Sequence, residues 1–448
     1  MPDLWLLLTG RIPARVYCQR EHASEASLTS HPIAPPPPAP ATPAHQRAGA
    51  LAALAEGRYR RYVVGLTWYV TGWKVEETAY AWLLWELTHS PLALGALGLV
   101  TGLPLVLLQL FGGVLADRMD RLRLLLTTQL VTWLTITSAT VLTALGLARI
   151  ELLLALAGLS AAFRAFEQPA RMALIPHLVS PANLGNAIAL GSLPWQAGRI
   201  VGPALGGVLL ASAGGAVGLA FGAASYLLGL LCYLGLKVPR ATSAPPTTSL
   251  AQQFGEGLVF IAQRPLFLTL ITLTFFNSLF GVAYLWVLPA FVATALASGA
   301  EGYGLLQAAS GAGAILGTVT LASVSHRLTR RGWVMLGGAI AFGGLLLLLA
   351  QTRSLPHALM LIPLMGFANT FYFTTVSIVL QHRVPEALRG RVLGIYGLCW
   401  NLVPLGGLLV GSLASLTTPA TALLVCGALV AGSALALLVL APSLRRLA

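Results

Sequence analysis

The chain has 448 residues, of which 56% are hydrophobic and only 9% charged, with a formal net charge of +13. A soluble domain carries about 25% charged residues, so this composition excludes an ordinary soluble enzyme and points to a polytopic, all-α membrane protein. A transmembrane barrel needs short alternating strands, which are absent, and the basic residues are spread singly along short loops, which argues against nucleic acid as a partner.

Residues 1–57 stand apart. They include His31-Pro-Ile-Ala-Pro-Pro-Pro-Pro-Ala-Pro-Ala-Thr-Pro, a disordered, polyproline-prone tail that cannot build a core. The short run Leu4–Leu8 is followed by arginines and predicts no cleavable signal peptide. From Tyr62 onward the hydropathy predicts twelve transmembrane helices, at 62–86, 92–115, 122–146, 150–169, 186–211, 216–237, 266–296, 302–325, 332–351, 355–380, 390–416 and 419–441. Each is long enough to cross ~30 Å of hydrocarbon. The longest connection, 238–265, opens with Ala241-Thr-Ser-Ala-Pro-Pro-Thr-Thr-Ser249 and continues into an amphipathic stretch, Phe254 to Gln263, suited to the membrane surface. The expected organisation is therefore a tail (1–57), a six-helix half (58–237), a cytoplasmic linker (238–265) and a second six-helix half (266–448).

Lys and Arg set the orientation. With the N-terminus inside, cytoplasmic loops and ends hold Arg58, Arg60, Arg61, Arg118, Arg121, Arg123, Arg171, Lys237, Arg240 and Arg264, then Arg327, Arg330, Arg331, Arg383, Arg389, Arg391, Arg445 and Arg446; the outside loops hold only Arg149 and Arg353. Both termini are expected in the cytoplasm. The halves echo each other: the turn at Asp117-Arg118 recurs around His326-Arg327, and Pro181-Ala-Asn-Leu184-Gly185 recurs as Pro385-Glu-Ala-Leu388-Arg389-Gly390. The similar offsets predict a duplicated unit with its binding site between the halves. The scattered Cys18, Cys232, Cys399 and Cys426 suggest neither a disulfide framework nor a metal site.

Ionisable residues inside spans are costly and mark function by default. They are Lys74, Glu76 and Glu77 in span 1, Arg164 and Glu167 in span 4, and Arg199 in span 5. At 100° per residue Lys74 and Glu77 share a face with Thr67, Thr71 and Thr78, while Glu76 points almost oppositely. Glu77 is accordingly the expected proton-titrating carboxylate, with Lys74 beside it and Glu76 free to meet Arg199. A structural ion-pair cluster is the competing reading. The second half has no acid in a span; its expected cavity residues are Asn277, Tyr284, Trp286, Asn369, Phe371 and Tyr372, a mostly aromatic set suited to an amphiphilic organic molecule. Gly198, Gly202 and Gly206, four residues apart, form a groove for close helix packing, and Pro203 favours a kink.

Twelve spans, Gly113-x-x-x-Asp117-Arg118 after the second, and Gly198-x-x-x-Gly202-Pro203-x-x-Gly206-Gly207 in the fifth resemble the major facilitator superfamily. The Gly-Pro stretch resembles the antiporter motif of its exporters. Phe166-Glu-Gln-Pro169-Ala-Arg171 and Val384-Pro-Glu-Ala-Leu-Arg389-Gly390-Arg391 resemble the branch containing the enterobactin exporter and macrolide efflux proteins. The resemblance spans residues 58 to 441. It implies a multi-pass inner-membrane secondary transporter, monomeric and without cofactor or metal, that exports a siderophore- or drug-like solute by alternating access with proton antiport. It also implies a cytoplasmic gate of Gly113, Asp117, Arg118, Arg121, Glu167 and Arg389, with Glu167 meeting Arg118 or Arg121 and Asp117 facing the Arg389–Arg391 start of span 11. Two positions depart from the pattern: Asp120 replaces a usual glycine, and Leu152–Ser160 of span 4 lacks the arginine of many proton-coupled exporters. Alternatives are an uptake permease or facilitator of the same fold, or a non-transporting membrane partner. No metal cluster, nucleophile constellation or nucleotide loop suggests an enzyme, since Gly311-x-Gly313 lies within a span.

Overall fold

A computed structural model describes residues 51–118, 120–236, 250–324, 330–441 and Leu444. The tail as far as residue 50, the linker at 237–249, His326 and Arg327, the surroundings of Gly113, and the side chains of Asp117 and Arg118 lie outside the described residues.

The first group of helices comprises α1 (Gly57–Thr88), α2 (Pro91–Arg118), α3 (Arg121–Ala144), α4 (Ile150–Arg164), α5 (Glu167–Leu174) and α6 (Leu184–Leu234). After the surface helix α7 (Leu250–Ala262) come α8 (Pro265–Phe276), α9 (Tyr284–Ala295), α10 (Ala300–Val324), α11 (Arg331–Gln351), α12 (Leu355–Arg383), α13 (Glu386–Asn401), α14 (Val403–Leu416) and α15 (Pro419–Leu440). No strand occurs among the described residues. Nine segments among them are long and apolar enough to cross a membrane. The helix α1 is not one of the nine, although it has 32 residues; it carries Lys74, Glu76 and Glu77 in its middle.

Straight, the 51-residue α6 would extend over about 76 Å, more than twice the hydrocarbon thickness. It is broken at Gly214, where φ is +81°, a conformation that glycine adopts without a Cβ clash. Both limbs pack on α1, in opposite directions. A Cβ on Gly198, Gly202 or Gly206 would meet Val70, Lys74 and Thr78 in turn, whereas Gly218, Gly222 and Gly229 approach Ala79, Gly72 and Gly65. Each glycine removes a side chain that would hold the backbones apart, so α1 is clasped between the two limbs.

The groups α1–α6 and α8–α15 meet along two seams, α2 with α14 and α6 with α10. In the first, Gly95 faces Gly407, Gly411 faces Pro91, and Gly102 faces Pro404. In the second, Gly304 approaches Gly207 and the Pro203 carbonyl, and Gly311 approaches the Arg199 carbonyl. Both run from the end of the bundle that bears Pro91, Gly214 and Ala300. Among the described residues these glycine approaches stop at Pro404 and Arg199, about halfway along.

At the other end, Asp120 caps α3 by accepting from the Leu122 and Arg123 amides at 3.0 and 3.1 Å. That gives a structural role to the acid that replaces the usual glycine. Glu56 accepts from the Ser180 amide at 3.0 Å and from Asn183 Nδ2 at 2.9 Å. These hydrogen bonds, that of Asn183 foremost, hold its carboxyl below the usual carboxylate range. The surface helix α7 is tied to α13 by an ion pair between Glu256 and Arg391.

Candidate functional site

A cavity of about 140 Å³ opens where the α2–α14 seam stops, lined by Trp73, Glu76, Glu77 and Tyr80 of α1, Thr101 of α2, Arg164 of α4, Trp286 of α9 and Pro404 of α14. At roughly 10–15 Å³ per water, it holds on the order of ten waters.

Glu76 points away from Lys74, as its position on α1 requires, and buries its carboxylate against α4 and the second limb of α6. Oε2 accepts from Arg164 Nη1 at 2.9 Å and from the Tyr226 hydroxyl at 2.5 Å, and Arg164 also donates to the Tyr226 oxygen at 3.3 Å. The Arg164 guanidinium lies 5.4 Å from the Trp73 ring centroid. Arg164 thus places a base on span 4 one turn beyond Leu152–Ser160. It, and not Arg199, is the partner of Glu76.

A second group repeats the first. Arg171 Nη1 donates to the Tyr233 hydroxyl at 2.7 Å, and Nη2 lies 3.3 Å from Glu167 Oε2. Arg171 follows Arg164 by seven residues, as Tyr233 follows Tyr226, so both Arg–Tyr pairs are 62 residues apart. The Tyr69 ring lies between them, 5.5 Å from Tyr226 and 4.0 Å from the Arg171 guanidinium. Glu167 therefore pairs with Arg171 on its own helix, not with Arg121. Arg121 instead donates to the Ala173 carbonyl at 3.1 Å and contacts His177 Nε2 at 2.8 Å.

Glu77 faces the cavity with 39% of its side chain exposed and is bound by Lys74 Nζ at 2.5 Å. This pair carries the expected i, i+3 geometry. Arg199 is exposed and has no hydrogen-bond or ion-pair partner among the described residues. Of the cavity residues expected in the second half, Trp286 lines the cavity. Asn277, Tyr284 and Tyr372 are buried within α8–α15 instead. Tyr372 donates to Thr274 at 3.1 Å, Tyr284 packs on Phe342, and Asn277 opens a π-helical segment, Asn277–Val282. Asn369 and Phe371 are half-buried on α12. Arg389 is exposed without an ion pair among the described residues, and its expected partner Asp117 has no described side chain.

A helical bundle in two groups, meeting along glycine seams over a charged cavity, is the architecture of a membrane transporter. The sequence profile of the transmembrane secretion effectors, a family within the major facilitator superfamily, matches residues 48–446, and the chain belongs to that family. Its relatives include the multidrug efflux pump Tap of Mycolicibacterium fortuitum, 27% identical over 75% of this chain and 84% of Tap. The staphyloferrin A transporter of Staphylococcus aureus is 26% identical over 78% of this chain and 83% of its own length. The enterobactin exporter EntS of Citrobacter koseri is 29% identical over 80% and 86%. Among solved structures, the nucleoside transporter NupG superposes with a TM-score of 0.67 at 14% identity, over 85% of this chain and 98% of its own. A bacterial homologue of the lysosomal transporter Spinster gives 0.66 at 18%, over 86% and 95%. These superpositions establish the fold. The chain is a membrane transporter of the major facilitator type and not an enzyme.

Proposed function

We propose that this protein exports an amphiphilic organic solute across the inner membrane by alternating access, as a monomer with twelve transmembrane helices and both termini in the cytoplasm. Twelve follows if α1 and the α4–α5 segment each cross once and α6 crosses twice about Gly214. The arginine-rich end is then cytoplasmic. The glycine approaches between the halves lie toward the opposite end, which supports a state open to the cytoplasm. Export is supported by the efflux pump and siderophore exporter among the relatives.

Proton antiport is assigned to the cluster of Lys74, Glu76, Glu77 and Arg199. The observation that carries it is the contrast between the two acids of α1. Glu76 is sealed by Arg164 and Tyr226, whereas Glu77 faces the cavity and has one partner, Lys74. A proton on Glu77 removes that ion pair and shifts the balance between the two states. The test is solute efflux from proteoliposomes under an imposed pH gradient. Glu77→Gln should transport without the pH dependence of the parent protein; an unaltered dependence ends the assignment.

A further inference from the structure

We infer that Arg199 anchors a negatively charged group of the exported solute, so the substrate class is an organic anion bearing aromatic or other apolar surface. This rests on the exporter reading above but not on which ion drives transport.

The inference starts from an imbalance. Lys74, Arg164 and Arg171 each have a carboxylate within 2.5 to 3.3 Å. Arg199, also well inside a span, has none among the described residues, and Glu77 is already held by Lys74. Glu76, Glu77 and Arg164 line the cavity and Lys74 pairs with Glu77, so among Lys74, Glu76, Glu77, Arg164 and Arg199 there is an excess of one positive charge, left on Arg199. An uncompensated charge in a span is expensive and persists only where water or a counter-ion reaches it.

Geometry directs this charge inward. On α6, Gly198, Gly202 and Gly206 face α1, while Pro203 and Gly207 face α10. At roughly 100° per residue, Arg199 falls between these two faces. Val201 and Val208, 50% and 51% exposed, fall on the opposite side, toward lipid. Arg199 also marks the point where the α6–α10 glycine approaches stop among the described residues, and its side chain is exposed. One turn earlier Trp195 stands edge-on to Trp73, ring centroids 5.6 Å apart, an apolar surface beside the charge. A carboxylate, sulfonate or phenolate there gains charge-assisted hydrogen bonds from the guanidinium. A cationic solute would instead meet a site with a positive excess, whose two acids are already paired. The inside-negative membrane potential itself drives an anion outward.

The test uses the full-length protein in nanodiscs of neutral lipid at pH 8, with two dyes sharing a xanthene ring system: fluorescein, an anion, and rhodamine 6G, a cation. Binding is read by anisotropy against empty nanodiscs. Fluorescein should bind the more tightly, and Arg199→Gln should weaken it about 10- to 100-fold, the range for a hydrogen bond to a charged group. Arg199→Lys, which keeps the charge, should retain part of the affinity, and rhodamine binding should not weaken in either variant. Tighter or equal binding of rhodamine, no binding of fluorescein, or an Arg199→Gln variant with unchanged affinity overturns the inference. The exporter reading fails separately, if fluorescein binds in an Arg199-dependent way yet is not moved across proteoliposome membranes.

Discussion

Replacing Glu76 by glutamine keeps its shape and removes its charge, which isolates what the Glu76–Arg164–Tyr226 group contributes. The Glu76 side chain is 3% exposed and that of Arg164 9%, so the buried guanidinium would be left with neutral partners alone, the glutamine amide oxygen, the Trp73 face and the Tyr226 oxygen. Stranding one member of a buried ion pair costs about 3–5 kcal/mol. Tyr226→Phe deletes a single interhelical hydrogen bond, about 1–2 kcal/mol within a membrane. Arg164→Gln strands Glu76 in turn, but the double variant Glu76→Gln/Arg164→Gln strands neither. Its cost should fall below the sum of the single costs by at least ~2 kcal/mol. Equilibrium unfolding in mixed detergent and dodecyl sulfate micelles, followed by tryptophan fluorescence, measures all four proteins. A Glu76→Gln cost under ~1 kcal/mol, or an additive double variant, would refute the buried-pair reasoning.

Two further outcomes follow from the packing and from Glu56. A Cβ on Gly304 would lie 2.4 Å from the Pro203 carbonyl oxygen and 2.7 Å from Gly207 Cα; backbone cannot rotate aside. Gly304→Ala should therefore part α6 from α10 and reduce efflux about tenfold or more with normal membrane insertion, while Gly432→Ala, with nothing within 4 Å, should not change it. The lowered pKa of Glu56 makes its clamp on Ser180 and Asn183 complete above the unfolded carboxylate value of ~4.3. Its contribution is lost as pH falls through the lower folded value. Glu56→Gln should thus destabilise at pH 7 by about 1 kcal/mol, given the exposure of the site, and progressively less in strong acid; an effect independent of pH in the same unfolding assay would contradict this.

The helical, membrane-spanning character of the chain was legible because it depends on local hydropathy and length, which need no partner. The doubling back at Gly214 was legible too, as a boundary between spans 5 and 6. Side-chain partnerships were less so. Glu76 meets Arg164 across 88 residues, and nothing in periodicity distinguishes that base from Arg199. The Glu167–Arg171 pair was readable as i, i+4 neighbours, but the family analogy pointed elsewhere. Likewise the acid at Asp120, just before a helix, was recognisable as a cap. In the second half, an aromatic residue within a span gives no indication of whether it faces a cavity or its own bundle. Tyr284 and Tyr372 face the bundle, and Trp286 the cavity.

The two Arg–carboxylate–Tyr groups lie seven residues apart on the continuous second limb of α6, about 10.5 Å along its axis. One rung fixes the distance between neighbouring helices; two rungs also resist torsion, so α4, α5 and the second limb of α6 form a braced plate. The seams between the halves are of the opposite character, built largely from glycine backbone and proline. Stiffness is thus concentrated inside the N-terminal group and slip at its borders. A rocker needs that division of labour if a small displacement at the cavity is to reach the far end of the helices undiminished.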